Sequence, residues 1–341
     1  MILITGGCGF IGSNFVLDWL ATENTPIIVL DALNYAGNLA NLTTAQNNPL
    51  FKFVKGDINN KALIRSLLDD YKPHAIINFA AETHVDKSIL DPQKFISTNI
   101  NGTFCLLQAA HQYWLQLKTN AQNNFRFLQI STDEVYGSLK IDDTPFKETN
   151  NYSPNNPYAA SKASADHLVR AYFHTYGLPT LITNCSNNYG PFQFPEKLIP
   201  FTIYNALHAK PILVYGDGMQ IRDWLYVSDH CSAVRTVLKN ATPGETYNVG
   251  GNCEKTNIEV VTYICKMLDT LNRRNGSYTS LITHIEDRLG HDRRYAINAD
   301  KIKTDLNWIP TENFASGIEK TIKWYLNYFK MKLKLSNTTQ E

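Results

Sequence analysis

Short apolar runs recur through the first half of the chain, each followed by a turn and then a longer amphipathic stretch. Met1–Thr5, Phe51–Lys55 and Ala75–Asn78 read as strands of a buried sheet, as does the apolar run Ile27–Asp31. Phe125–Ile130 alternates apolar and polar residues in strand fashion, and Leu178–Thr183 is a further strand. Between them lie helix-like stretches: from the first glycine loop to about Thr22, about Asn60–Asp70, Pro92 to about Leu117, and Tyr158–Tyr176. Strand and helix in alternation predict a parallel α/β sheet wound on both faces. The stretch from Pro92 carries apolar residues on more than one side (Phe95, Ile96, Ile100, Phe104, Leu106, Leu107, Trp114, Leu115). It is therefore expected to pack on the sheet and on something else, such as a second subunit.

In a parallel sheet, ligands bind at the carboxyl edge of the strands, so polar residues just after each run carry the chemistry. After the first strand come Gly6, Gly9 and Gly12, opening a helix. This spacing permits a tight turn and close approach of a pyrophosphate to the helix N-terminus. Asp31 lies 19 residues beyond Gly12, where an acid can accept from adenosine ribose hydroxyls. Its charge repels a 2′-phosphate and Ala32 offers no arginine to receive one, which favours NAD over NADP. The expected fold is thus a Rossmann-type doubly wound parallel sheet. Gly56-Asp57-Ile58 can read an adenine edge, Ala80 and Ala81 are small enough to lie against a cofactor, and Thr98 and Asn99 can approach it. His84, taken alone, reads as a polar loop residue.

The densest chemistry follows Ile130: Ser131-Thr132-Asp133-Glu134-Val135-Tyr136-Gly137, to be read with Tyr158-Ala159-Ala160-Ser161-Lys162. Tyr158 and Lys162, four apart on a helix, share a face. A lysine beside a tyrosine favours the phenolate, which then takes a proton from a sugar hydroxyl. Asp133 and Glu134 supply an acid and a base. Each pattern alone is commonplace, since most such pairs are surface pairs and most Asp-Glu dipeptides are solvated turns.

Composition narrows the partners. With 32 basic and 31 acidic residues in 341, no overall field points to nucleic acid or membrane. No apolar run approaches the roughly 20 residues needed to span a bilayer. The N-terminus reads as a strand entering a glycine loop rather than a signal peptide. Cys8, Cys105, Cys185, Cys231, Cys253 and Cys265 show no paired spacing, and the nine histidines form no metal-ligand grouping. A metal-free protein with reduced thiols in the cytoplasm is expected.

Alternation breaks down near residue 185. The domain expectation is a dinucleotide-binding unit over 1–185, with some later chain returning to the sheet. A smaller C-terminal mixed α/β substrate lobe follows over 186–330, then a frayed basic tail over 331–341 that follows a last helix of about Ala315–Phe329. The lobe holds arginines and a histidine in aromatic surroundings, around Arg222 and in Asp287–Tyr295. Such residues suit a diphosphate, though ion pairs between lobes account for them equally well.

Together these residues resemble the extended short-chain dehydrogenase/reductase superfamily and, within it, the nucleotide-sugar 4,6-dehydratases. The resemblance spans Ile2 to about Tyr325. Gly6/Gly9/Gly12 and Tyr158-x-x-x-Lys162 are shared with epimerases, decarboxylases and reductases. Ser131–Gly137 is the specific part, because 4-epimerases carry small or hydroxyl residues in place of Asp133 and Glu134. Asp31–Asn38, Ser186–Pro191, Phe194–Pro200, Gln220–Val227 and Asp287–Tyr295 are also similar to that family.

The resemblance implies dTDP-glucose as substrate, with UDP-glucose the nearest alternative, and a homodimer joined through a four-helix bundle. It implies Tyr158 as base toward the 4-hydroxyl, Lys162 as its partner, Thr132 on O4, Glu134 as base at C5 and Asp133 as acid at C6. For NAD it implies Gly6, Gly9, Phe10, Ile11, Gly12, Asp31, Ala32, Leu33, Asn34, Asp57, Ile58, Ala80, Ala81, Thr98 and Asn188, with Tyr158 and Lys162. For the nucleotide sugar it implies Thr83, His84, Asn187, Lys197, Leu198, Arg222, Asn257, Arg288 and His291, with Thr132. Ala32, Thr83 and Leu289 depart from the common lysine, serine and proline. An idle NAD-binding protein is expected to have lost Tyr158, Lys162, Asp133 or Glu134, and all four are present.

Overall fold

Strands buried on both faces are nearly continuous apolar runs, and the first, second and fourth strands are entirely buried and apolar up to their last residues, Thr5, Asp31 and Asn78. The computed structural model describes residues 1–287 and 291–338. It shows twelve strands: β1 Ile2–Thr5, β2 Ile27–Asp31, β3 Phe51–Lys55, β4 Ala75–Asn78, β5 Arg126–Thr132, β6 Thr180–Cys185, β7 Asn187–Tyr189, β8 Ile212–Tyr215, β9 Ile221–Tyr226, β10 Thr246–Val249, β11 Glu254–Thr256 and β12 Ile282–Ile285. Seven form one parallel sheet in the order β3-β2-β1-β4-β5-β6-β10. The expected doubly wound Rossmann-type sheet is present, with β10 as the later chain that returns to it. Two small sheets, β11-β9-β7 and β12-β8, lie in the C-terminal part.

Alternate residues of each strand enter different cores. Ile2, Ile4, Val29, Ile77 and Leu128 pack with Phe15 and Val16 of helix Phe10–Thr22 and with Val234 and Val237 of helix Val227–Asn240. Leu3, Ile28, Ile76 and Phe127 pack on the other face with Ile64, Leu106, Leu107 and Val169. A third core holds Tyr189, Ile203, Ile264, Ile318 and Ile322 beneath the small sheets.

Helix Pro157–Tyr176 has its ends written in the sequence. Asn156 accepts the Ala159 N–H at 2.8 Å, Pro157 occupies the first turn, and Gly177 closes the helix at φ 73°. Its buried stripe includes Tyr158, Lys162, Asp166 and Val169.

The single long helix expected over Pro92–Leu117 is instead interrupted. Pro92–Phe95 and Thr103–Leu115 are α-helical, and Ile96–Gly102 between them is a widened π-helical turn. The cause is Asn99. Its side chain accepts the Glu82 N–H at 2.8 Å and donates to the Glu82 carbonyl (3.0 Å) and Ser161 Oγ (2.8 Å). Those bonds hold the turn against two other segments, which is the usual setting of a π-bulge. On the outer side Ile96, Phe104 and Leu115 remain exposed. The last helix runs Phe314–Thr338, past the end expected near Phe329.

Asp229 fixes the approach to that helix. Its carboxylate accepts from the Thr311 N–H and hydroxyl (3.1 and 2.7 Å) and from the Glu312 N–H (2.9 Å). Bonds to a charged acceptor contribute more than neutral ones. Asp229→Ala is expected to cost about 2–4 kcal/mol, read as a shift of the urea unfolding midpoint. A loss below about 0.5 kcal/mol, the range of ordinary surface changes, would show that the three bonds do not hold the segment.

Candidate active site

The carboxyl ends of β1, β2, β4, β5 and β6 open onto one cavity. Its lining runs from Gly6–Gly12 through Asp31–Gly37, Gly56–Ile58, Phe79–Thr83, Thr98, Ile130–Glu134, Tyr158, Lys162 and Cys185–Asn188 to Phe192–Lys197, with gaps in the outer segments.

The glycine loop is built for close approach. Gly6 has φ 68°, and a Cβ there would lie 2.5 Å from the Ala80 nitrogen. A Cβ on Gly12 would lie 2.3 Å from the Gly6 carbonyl oxygen. Gly9, by contrast, has room, and it caps helix Phe10–Thr22 without a side-chain bond or an acidic residue in the first turn. The free N–H groups of that turn therefore suit a pyrophosphate. Asp31 accepts the Cys8 N–H with Oδ2 and the Leu33 N–H with Oδ1, both at 2.8 Å. Burial raises its pKa while those two bonds pull it back. Each oxygen keeps a further acceptor site for ribose hydroxyls. The residues present fit an adenine dinucleotide. Every residue expected to hold NAD lines the cavity except Leu33, which differs because its backbone is left-handed (φ 55°) and its side chain packs into the core.

Thr132, Asp133 and Glu134 stand at the end of β5 and in the 3-10 turn after it, opposite Tyr158 and Lys162. Thr132 Oγ1 accepts the Glu134 N–H at 3.3 Å and lies 3.3 Å from Asp133 Oδ1, to which it donates. Asp133 Oδ2 is buried without a hydrogen-bond partner. Burial first, then the charges of Glu134 and Asp223, push the Asp133 pKa well above the ordinary carboxylate value. Glu134 is also raised by burial, but Lys197, Arg222 and a bond from Asn156 (3.5 Å) oppose the rise. Asp133 is thereby pushed further toward its neutral form than its neighbour Glu134.

The Tyr158/Lys162 pair departs from expectation. Burial raises the Tyr158 pKa well above the usual phenol value, with the charges of Glu134 and Cys185 adding to it and a Thr132 hydrogen bond opposing. Burial and these anions outweigh any lowering of the phenol by Lys162. The buried ammonium donates to the Ile130 carbonyl at 2.7 Å, and burial lowers its pKa while Asp166 raises it. Spacing places the two side chains on one face, but burial dominates the phenol.

On the expected sugar side, Thr83, Thr132, Asn187 and Lys197 line the cavity. Lys197 Nζ donates to the Thr83 carbonyl at 3.0 Å. Five others do not line it. His84 caps helix Val85–Leu90 and pairs with Glu196 at 3.2 Å. Leu198 begins helix Leu198–Leu207 and joins its core. Asn257 begins helix Asn257–Leu271 and donates its N–H to the Gln220 carbonyl. His291 contacts Asp287 at 2.6 Å. Arg222 is buried over the Tyr295 ring, 4.4 Å from its centre, and donates to the Asp292 carbonyl at 3.0 Å. Its charge still reaches Glu134 and Asp133. Arg288 lies outside the described residues. Among those described, no group of three metal-ligating side chains is present, and no helix is long and apolar enough to cross a membrane.

Sequence reasoning missed one wall. Tyr35, Glu82, Phe194 and Glu196 line the cavity where three distant segments meet. Lys87 Nζ sits 3.7 Å from the Tyr35 ring centre and 3.5 Å from Glu196, and Phe194 meets Tyr35 edge-on. Tyr35 lies inside the Asp31–Asn38 stretch and Phe194 and Glu196 inside Phe194–Pro200, both noted for their resemblance, but nothing in either stretch placed them against one another.

Comparison with known proteins agrees with this geometry. Residues 3–321 match the family model described as GDP-mannose 4,6 dehydratase. A dTDP-glucose 4,6-dehydratase of Xanthomonas campestris pv. campestris is 55% identical over 326 residues, covering 95% of this chain and 92% of that protein. Among solved structures, a dTDP-glucose 4,6-dehydratase of Bacillus anthracis in complex with NAD is 45% identical, with a TM-score of 0.84 and 96% of both chains covered. One from Streptomyces venezuelae with NAD and TYD bound is 42% identical, with a TM-score of 0.87 over 96% of this chain and 97% of that one.

The raised Asp133 pKa has a direct signature. At pH 7 an infrared spectrum should contain a protonated-carboxyl C=O band that Asp133→Asn removes. Raising the pH through the elevated pKa should remove it in the unaltered protein too. Absence of the band at pH 7 would show an ionised Asp133.

Proposed function

The chain belongs to the GDP-mannose 4,6-dehydratase family, and from that premise we propose that it dehydrates dTDP-glucose to dTDP-4-keto-6-deoxyglucose. The reading rests on one observation: two adjacent buried carboxyls, Asp133 and Glu134, line the same cavity as a Tyr/Lys pair and the glycine loop. Oxidation alone needs neither carboxyl, so their presence favours elimination over epimerisation.

Bound NAD supplies a hydride acceptor for C4 and a donor for C6, and its oxidised ring brings a positive charge that favours the Tyr158 phenolate. Tyr158 takes the proton of the 4-hydroxyl, while the Thr132 hydroxyl donates to O4 as it becomes a carbonyl. That carbonyl acidifies the proton on C5, which Glu134 removes. Asp133 gives its proton to the departing 6-hydroxyl, so water leaves. Glu134 returns its proton to C5 as the hydride is returned to C6. The proton taken by Tyr158 replaces the one Asp133 gave up, so the sugar loses one water and the enzyme is a hydro-lyase with a recycled cofactor.

The segment from residue 186 onward, apart from the chain that returns to the sheet, is the part proposed to hold the nucleotide. The exposed Ile96, Phe104, Leu115 and Tyr176 support a homodimer through these helices. Six unpaired thiols suit the reducing cytoplasm.

Incubation with dTDP-glucose should give a 4-keto-6-deoxy product, read by its alkali-induced absorbance, well above the signal from UDP-glucose. A pocket discriminates one methyl by only about 1–3 kcal/mol, so preference for UDP-glucose would overturn the nucleotide and keep the chemistry. Tyr158→Phe should abolish oxidation at C4. Glu134→Gln should retain it, accumulate reduced-nicotinamide absorbance and lose water elimination by about 100-fold or more. Water loss needs Glu134 ionised and Asp133 protonated. Its rate should rise as pH passes the Glu134 pKa and fall as pH passes the higher Asp133 pKa. Equal loss of C4 oxidation in Glu134→Gln and Tyr158→Phe would sink the division of roles.

A further inference from the structure

We propose that Asp166 is the positioning residue for Lys162, a buried counter-charge that keeps the lysine an ammonium and ties its helix to the end of β5. The inference rests on the proposed function, in which Lys162 stands beside the base Tyr158. Lys162 is 4% exposed, and among the described residues its one hydrogen bond is to a neutral acceptor, the Ile130 carbonyl. An ammonium removed from water and bonded to one carbonyl is far from compensated. Asp166 lies one helical turn further along the same buried stripe and is 1% exposed. Asp166 is the one carboxylate of that helix.

The carboxylate is held rather than free. Asp166 Oδ2 accepts from Ser131 Oγ at 2.6 Å and from the Tyr152 hydroxyl at 3.3 Å. Tyr152 in turn accepts from Asn184 Nδ2 at 3.2 Å, and the same nitrogen reaches the Thr132 carbonyl at 3.2 Å. Ser131 immediately precedes Thr132, and Ile130, which receives the lysine, immediately precedes Ser131. Three consecutive residues of β5 are thus gripped by one helix face and its neighbours. An unneeded buried carboxylate is costly, so its retention here calls for a charge to offset.

The titratable groups facing the pair come from every packed element. They are Cys185 on β6, Tyr152 before the helix, Tyr136 in the turn after β5 and Tyr158 on the helix itself. Burial raises all four, so none carries charge near pH 7. Asp166 is raised by burial to about 6, with Lys162 and the Ser131 bond opposing, and remains mostly ionised at neutral pH. Asp166 is therefore the anion available to Lys162 among these neighbours.

The test reads the lysine directly. Lysines labelled with 13C at Cε are titrated by NMR in the full-length protein, and the Lys162 resonance is assigned by its loss in Lys162→Met. Asp166→Asn keeps the shape and removes the charge. The Lys162 midpoint should fall by about one pH unit or more. Ser131→Ala removes the bond and keeps the charge, and should leave the midpoint near its original place. Single-turnover oxidation at C4 should follow: the alkaline limb of its pH profile moves down in Asp166→Asn and stays in Ser131→Ala.

Should Asp166→Asn fail to fold, the unaltered protein still decides. Its Lys162 Cε signal should show a second, smaller step near pH 6, where Asp166 takes its proton. An unmoved midpoint in folded Asp166→Asn, an equal shift in Ser131→Ala, or no step near pH 6 would overturn the proposal. A protein that oxidises neither nucleotide sugar would instead overturn the functional reading, because the titration of Lys162 needs no turnover.

Discussion

A single buried ammonium constrains the site more than any other group. Lys162 enters a region from which water is excluded, and its desolvation has to be offset by geometry. Helix Pro157–Tyr176 can present it there because the helix is fixed at both ends by a side-chain cap and a left-handed glycine. The Ile130 carbonyl that receives the lysine is available because β5 runs on to Thr132 along the β6 edge. Helix and strand are thus registered to each other by the lysine. Tyr158 and Thr132, one on each, are brought face to face as a consequence.

The division of labour between Asp133 and Glu134 follows from small differences in surroundings. Both are adjacent in sequence and both are desolvated, so burial alone would raise them together. Asp133 faces the charges of Glu134 and Asp223 ahead of Arg222, whereas Glu134 faces Lys197 and Arg222 before any further anion. Two like charges in a low-dielectric site cannot both ionise readily, and the cations decide which does. Arg222 thereby affects the chemistry without lining the cavity.

Much of the fold was legible because a parallel sheet buries its strands on both faces. β2 and β4 stand out as short apolar runs and β3, at the sheet edge, as an alternating one, and the ends of all three coincide with the observed ones. The catalytic residues were legible because they follow such a strand or share a helix face. Three features were not. The π-turn at Ile96–Gly102 depends on Asn99 reaching Glu82 and Ser161, contacts distant in sequence that no periodicity encodes. The high Tyr158 pKa depends on burial, whereas spacing reports only proximity. Leu33 shares its stretch with true lining residues, yet its positive φ turns the side chain into the core.

The wall formed by Tyr35, Glu82, Phe194 and Glu196 shows the same limit from another direction. Each residue sits in a segment that has its own local explanation: a loop after β2, a loop after β4 and a loop after β7. Only the folded sheet brings those loops together, because β2, β1 and β4 are neighbours while the chain between them is long. Once together, Glu196 takes His84 and Lys87 as partners, and Lys87 covers Tyr35. These contacts occupy His84 in joining loops, which is why it caps a helix and pairs with a carboxylate instead of facing the cavity. A residue type suited to a ligand is equally suited to holding two loops in register, and the number of anions already around it decides which role it has.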